Sequence, residues 1–167
     1  DVLGSVLDGS ALAAQEIVKL TDEPDGADQY QSTIASNANG QSIVAWIDQR
    51  NGEREVWCQR FDAQGARVGE NILVSVVGQW GYAPPPEIAI TENGSFIIAY
   101  HQTTNKRDVI AMQRFGSDGV PIGVEIHSGE DECEPVTQFA VGAMANGSAL
   151  LVWDCISELS NGDLQEQ

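Results

Sequence analysis

The chain repeats itself about every 54 residues, and this constrains its fold more than any other feature. Gly40, Gly94 and Gly147 each follow an asparagine, and successive glycines are 54 and 53 residues apart. Each of these Asn-Gly pairs opens a segment that ends in an aromatic residue: 39–46, 93–100 and 146–153. A Gln-Arg-Phe block recurs at the same spacing, at residues 59–61 and 113–115. Because several unrelated positions keep one spacing, the sequence predicts a series of similar structural units.

The pattern predicts four short β-strands in each unit. Asn-Gly is the favoured two-residue hairpin turn, because both residues accept positive φ. The strand after each turn is apolar without alternation, which indicates burial on both of its faces. No amphipathic helix of useful length is visible. The predicted strands are residues 32–38, 42–47, 55–61 and 71–76, then 87–91, 95–100, 108–115 and 124–127, then 137–143 and 149–153.

Four antiparallel strands in about 50 residues, with inner strands buried on both faces, are typical of a β-propeller blade. We therefore predict an all-β fold of four-stranded antiparallel blades, with about three repeats. A β-sandwich built from hairpin repeats is the alternative, but it gives no reason for a regular period. Since propellers typically have four to eight blades, we expect the remaining blades to come from the same chain or from another protomer. The predicted units are residues 1–30 (end of a first blade), 31–80 (second blade), 81–132 (third blade) and 133–167 (start of a further blade).

The charge of the chain excludes some partners. It has 25 Asp and Glu against 8 Lys and Arg, a formal net charge of −17. Nucleic acid and anionic membrane surfaces would both repel so acidic a protein. The longest apolar runs are far shorter than a membrane span. We therefore expect no nucleic-acid partner and no membrane insertion.

The segment 43–69 carries a family resemblance. Its Ile-Val-Ala-Trp strand, Gln-Arg-Phe-Asp block, Gly65 and Gly69 resemble repeats of large secreted or cell-surface bacterial proteins, and the block at 112–123 fits the same pattern. The resemblance implies a β-propeller-like fold and an extracellular or cell-surface location. It assigns no catalytic residues to this chain. The chain is also distantly similar to sialidase-like propellers. Their Asp-box pattern is not matched, because residues 36–40 have Asn where the Asp should be.

The candidate ligand site lies on the face where, in a propeller, the loops after second and fourth strands meet. A proline run stiffens residues 79–86 and holds Trp80 and Tyr82 outside the strands. Rigid aromatic rings stack on a sugar ring or a peptide, whereas the alternative is that Trp80 caps a blade interface. Asp48 and Asp154 follow the buried strands at a shared phase, with His101 in the middle copy. The predicted ligand-binding residues are Trp80, Tyr82, Tyr30, Asp48, His101 and Asp154, and the predicted partner is a glycan or a protein.

The loop at residues 21–31 carries the candidate metal ligands. Asp22, Asp25 and Asp28 supply carboxylates, and Ca²⁺ takes six to eight oxygen ligands. Their spacing does not match an EF-hand loop, and the alternative is a solvated acidic rim. Ca²⁺ is the only cofactor that the sequence suggests.

The three cysteines have different predicted roles. Cys133 and Cys155 fall in loops on one predicted face, where a disulfide would stabilise by about 3 kcal/mol and would fit an oxidising compartment. The alternative is two free buried thiols. Cys58 lies within a strand and is expected to be a small core residue. The repeated Arg60 and Arg114 are expected to pair with acidic neighbours between blades.

Three hypotheses for function remain. The leading one is a non-catalytic extracellular binding module. The second is a fragment of a sugar-active propeller enzyme, with catalytic acids among Asp48, Asp108 and Asp154. The third is a structural subunit of a surface assembly. No nucleophile elbow, phosphate-binding loop or zinc-ligand spacing occurs in the sequence.

Overall fold

The computed structural model describes residues 1–5, 18–22, 26–77, 84–104, 107–128, 136–144 and 146–155. This part of the chain contains twelve β-strands and no helix, so the predicted all-β class is confirmed. None of its residues form a helix that could cross a membrane. The strands are β1 (Leu3–Gly4), β2 (Val18–Lys19), β3 (Gln29–Ser36), β4 (Ser42–Asp48), β5 (Glu55–Phe61), β6 (Arg67–Val76), β7 (Glu87–Ile90), β8 (Phe96–Thr104), β9 (Arg107–Phe115), β10 (Pro121–Ser128), β11 (Val136–Ala143) and β12 (Ala149–Cys155).

The strands pair with their neighbours in chain order. β3 to β6 form one antiparallel four-stranded sheet, here the first sheet, and β7 to β10 form the second sheet. β1 and β2 form an N-terminal pair, and β11 and β12 form a C-terminal pair. The predicted four-stranded antiparallel units are confirmed for the two complete sheets.

The fourth strands are longer than predicted. β6 begins at Arg67 and β10 at Pro121, whereas the sequence suggested residues 71 and 124. Gly69 and Gly123 both have a φ of 73°. The strands continue through these glycines with a shift of register, because a glycine at positive φ allows a β-bulge.

The pairing register repeats with the sequence. Three pairs of opposite residues occupy equivalent positions on third and fourth strands: Gly4 and Val18, Cys58 and Ile72, Met112 and Ile126. Each pair lies 54 residues beyond the one before it. The N-terminal pair is therefore the third and fourth strand of a unit. The C-terminal pair is the hairpin of a first and a second strand, since its turn has Gly147 at a φ of 82°, as Gly94 has.

The sheets pack face to face through their middle strands. On β4, Ile43, Ala45 and Ile47 pack against the second sheet, whereas Val44 and Trp46 pack against the N-terminal pair. A third cluster joins the second sheet to the C-terminal pair. The first strands of successive units also contact each other: β3 of the first sheet contacts β7 of the second sheet, and β7 contacts β11 of the C-terminal pair. The predicted burial of both faces is thus confirmed for β4, and the sheets form a series in chain order.

Cys58 provides a test of this packing. Its side chain has no exposed surface, and burial raises the pKa of the thiol to about 12. Because the thiolate is the reactive form, Cys58 should not react with Ellman's reagent at pH 8 in the folded protein. A Cys133→Ser/Cys155→Ser variant isolates this thiol. Full reaction is expected after denaturation, and full reaction of the folded variant within minutes would contradict the buried position.

Candidate functional site

A buried carboxylate lies where β4 ends. Asp48 has no exposed surface, and its oxygens accept hydrogen bonds from Arg50 Nη2 at 2.7 Å, the Arg50 backbone N–H at 2.8 Å and Trp46 Nε1 at 3.0 Å. Burial by itself raises the pKa of Asp48, but these hydrogen bonds outweigh it and hold the pKa below its ordinary value. The side chain is therefore ionised at neutral pH, with its oxygens engaged.

Arg50 connects this carboxylate to the surface. Its guanidinium lies 4.0 Å from the centroid of the Trp57 ring, and its Nη1 donates to Asp22 Oδ1 at 2.9 Å. A guanidinium over an indole is attracted by the electrons of the ring. We call Asp22, Trp46, Asp48, Arg50 and Trp57 the Arg50 cluster. It ties the segment after the N-terminal pair to the first sheet.

Two further polar contacts lie at this end of the first sheet, one at the buried Glu55 and one at the exposed Tyr30. Glu55 accepts hydrogen bonds from Trp57 Nε1 at 2.8 Å and from Asn51 Nδ2 at 2.9 Å. Tyr30 is exposed on β3, and its hydroxyl accepts from Gln49 Nε2 at 3.4 Å. The register places Tyr30 opposite Ile47, one residue before Asp48. This end of the first sheet therefore combines an aromatic ring in solvent with amide and carboxylate groups held in place.

The structure places the predicted ligand-binding residues in different surroundings. Tyr30 and Asp48 lie at one end of the first sheet, and their side chains project from opposite faces because Tyr30 is opposite Ile47. His101 is buried on β8, and Asp154 is exposed on β12 opposite Gln138. Trp80 and Tyr82 lie outside the described residues, and so do Asp25 and Cys133 and the side chain of Cys155.

The predicted shared phase is wrong for Asp48, whereas His101 and Asp154 are equivalent positions 53 residues apart. His101 lies opposite Ile110, just as Ile47 lies opposite Val56 one repeat earlier. His101 is therefore equivalent to Ile47, and Asp48 is one position further along. Side chains alternate between the faces of a strand, so Asp48 and His101 project from opposite faces of their sheets.

His101 makes its own buried polar contact. Its Nε2 lies 3.3 Å from Asp108 Oδ1, which also accepts from Thr103 Oγ1 at 3.0 Å. Burial lowers the pKa of His101, Asp108 opposes this effect, and the charge of Arg54 adds to it. The net shift is downward, so the folded protein favours the neutral imidazole.

This shift predicts a pH dependence of stability. When the folded pKa of a histidine is below the unfolded value of about 6.5, the unfolded state binds the proton more readily. The contribution of His101 is therefore complete above that value and is lost as the pH falls through the folded pKa. Urea denaturation between pH 7.5 and 5 should show this decline in the wild type, and His101→Gln should flatten it. An equally steep decline in the variant would contradict the assignment.

A contact between the two complete sheets was not predicted. The buried Tyr100 donates its hydroxyl hydrogen to Glu125, and Ser75 Oγ on the first sheet donates to the same carboxylate oxygen at 3.1 Å. His127 Nε2 lies 2.7 Å from the other oxygen. Asn71, one repeat before Glu125, likewise reaches back to the preceding unit, where its Nδ2 donates to the Leu20 carbonyl at 3.3 Å. This position of the fourth strand links successive units, and only the repeat spacing could have indicated it.

The predicted acidic partner of Arg60 is wrong. Arg60 Nη1 donates to the backbone carbonyl of Ser117 at 2.6 Å, in the turn between β9 and β10. The contact does connect neighbouring sheets, as expected. The turn thus presents a backbone carbonyl to the guanidinium where a carboxylate was expected.

The Ca²⁺ prediction remains a prediction. The Asp22 carboxylate lies 2.9 Å from Arg50 and 3.8 Å from Arg67, so it faces guanidinium groups. Among the described residues, no group of three or more His, Cys, Asp and Glu side chains is arranged to hold a metal ion.

The chain was also compared with known proteins. No protein-family model, no curated protein and no solved structure matches it.

Proposed function

We propose that the chain is part of a β-propeller that acts as a non-catalytic, extracellular or cell-surface binding module. Its ligand class is a glycan, bound at the end of the first sheet that carries the Arg50 cluster and Tyr30. The observation that carries this proposal is the Arg50–Trp57 stack, which buried Asp48 holds in place. Tyr30 lies at the same end of the first sheet, on the face that it shares with Ile47.

The arrangement of the sheets supports the propeller. Successive four-stranded sheets pack through middle strands that are buried on both faces, and their first strands are neighbours. This is how blades pack around an axis in a propeller. The resemblance of segment 43–69 to repeats of secreted bacterial proteins supports the extracellular location.

The chemistry of the sheet end supports a sugar ligand. Aromatic rings such as those of Tyr30 and the half-buried Trp57 offer flat apolar faces with fixed orientation. The exposed Asn51 supplies an amide for ligand hydroxyl groups, and the buried Glu55, which also accepts from Trp57, holds that amide in place. Catalysis by acid transfer from Asp48 is disfavoured, because its lowered pKa leaves no proton to donate at neutral pH.

A glycan array with the labelled protein tests the proposal. We expect a defined subset of glycans to bind, and Tyr30→Ala to weaken that binding by about tenfold or more. Val124→Ala, an exposed position on β10, is the matched control and should bind like the wild type. Circular dichroism would show that both variants are folded. The proposal would be overturned if the protein bound no glycan on the array. It would also be overturned if Tyr30→Ala bound as tightly as the wild type.

A further inference from the structure

Apolar side chains on β12 are exposed where their equivalents are buried. Leu150 and Val152 are 57% and 53% exposed, whereas Ile43 and Ala45, two repeats earlier, are 2% and 0% exposed. Ile43 and Ala45 are covered by the second sheet. Among the described residues, no sheet covers Leu150 and Val152 in the same way.

A matching difference occurs on the first sheet. Ile34 on β3 is 64% exposed, whereas Ile88, one repeat later, is 8% exposed. Ile88 is buried because it packs in the cluster that contains Ile43 and Ala45. Beside Ile34 lies a cavity of about 260 Å³ whose lining includes Leu20 and Val44. The surface around Ile34 thus has the composition of one half of an interface between sheets.

The two strand pairs complement each other. The N-terminal pair consists of a third and a fourth strand, and the C-terminal pair consists of a first and a second strand. Met144 N–H bonds to the Ser148 carbonyl toward β11, so by alternation the N–H of Ala149 points to the other edge of β12. In the described part of the chain, no strand pairs with that edge. Placed side by side, the pairs would form one four-stranded unit in the order β11–β12–β1–β2.

We propose that a second copy of this chain covers these surfaces, with β1 of each copy pairing with β12 of the other. Leu150 and Val152 of one copy then pack against Ile34 of the other, as Ile43 and Ala45 pack with Ile88 within the chain. The register of the complete sheets, in which Ala45 lies opposite Cys58, places Val152 opposite Gly4. This inference rests on the proposed propeller: the described residues of one chain contain twelve strands, so two copies supply about six blades, within the range of natural propellers.

The contact is a head-to-tail one that closes after two copies. A β-strand that adds to an open edge gains main-chain hydrogen bonds, and the exposed apolar side chains add buried area. Each copy carries a net charge of −17, so the copies repel each other at low salt. Association is therefore expected to strengthen with salt, because screening at about 0.15 M limits the repulsion to about 8 Å.

Sedimentation velocity of the 167-residue chain at about 0.15 M salt tests the proposal. The wild type should sediment with twice the 17.9 kDa mass of the chain. Val152→Lys and Ile34→Lys should each give a monomer, and both should fold, because both side chains are exposed within one copy. Val124→Lys, at an exposed position outside the proposed interface, should remain a dimer.

Three results would overturn the proposal. One is a wild type that stays monomeric at 100 µM, which would leave the surfaces to a different partner. Another is a dimer that survives both lysine changes, which would place the interface elsewhere. A third is formation of long polymers, which would contradict closure after two copies.

Discussion

Asp48→Ala should destabilise the protein by about 3–5 kcal/mol, the cost of breaking a buried ion pair from one side. The change removes three hydrogen bonds from a carboxylate without exposed surface. It also leaves the Arg50 guanidinium and the Trp46 N–H without their buried acceptor. Since a domain of this size is stable by about 5–15 kcal/mol, this loss is a large fraction of the total. Urea denaturation followed by tryptophan fluorescence measures it.

Asp154→Ala is the matched control for this prediction. Asp154 was a candidate for the same site, but its side chain is exposed, and an exposed substitution usually changes stability by less than about 0.5 kcal/mol. Equal and small losses for both variants would contradict the structural role of the Arg50 cluster. The direction in which stability changes with pH also follows from the lowered pKa of Asp48. The stability that Asp48 contributes is present above the ordinary carboxyl pKa of about 3.9 and is lost as the pH falls through its lower folded pKa.

Tyr100→Phe should cost about 1–3 kcal/mol, because it removes a buried hydrogen bond to a charged group and changes little else. Burial raises the pKa of Tyr100 well above its usual value, so the hydroxyl stays protonated and donates to Glu125. Glu125 also accepts from Ser75, so the bond supports the contact between the first and second sheets. Chemical denaturation with a two-state fit gives the loss directly.

Tyr30→Phe provides the comparison for the second prediction. The Tyr30 hydroxyl lies in solvent and makes one long contact, at 3.4 Å from Gln49 Nε2. Its removal is expected to change stability by less than about 0.5 kcal/mol. If Tyr100→Phe and Tyr30→Phe lower the free energy of unfolding by the same amount, the contact through Glu125 does not stabilise the packing of the sheets.

Local structure could be predicted because it depends on residues that are near in sequence. The Asn-Gly pairs marked the positions of the hairpins, but the predicted two-residue turn is wrong. Gly40 has a φ of 79°, whereas Asn39 does not have a positive φ, and the Gly40 N–H bonds to the Asn37 carbonyl at 3.0 Å in a longer turn. Equal spacing then gives equal pairing, so β1–β2, β5–β6 and β9–β10 share one register. Apolar runs without alternation indicated that both faces of the middle strands are covered.

The side-chain partners could not be predicted in the same way. Arg50 bonds to Asp22, 28 residues earlier, and Arg60 bonds to the carbonyl of Ser117, 57 residues later. Such contacts depend on how neighbouring sheets are placed, which no local pattern encodes. Asp22 looked like a metal ligand because its guanidinium partners are distant in sequence. The phase of Asp48 was misjudged because an error of one residue changes the face of a strand.

The central claim is that similar four-stranded sheets pack face to face through doubly buried middle strands. Nuclear Overhauser spectra of protein labelled at isoleucine methyl groups test it most directly. The claim predicts cross-peaks that join Ile43 or Ile47 on β4 to Ile88 or Ile98 in the second sheet, because all four lie in one buried cluster. Cross-peaks confined to pairs within a single sheet would contradict it.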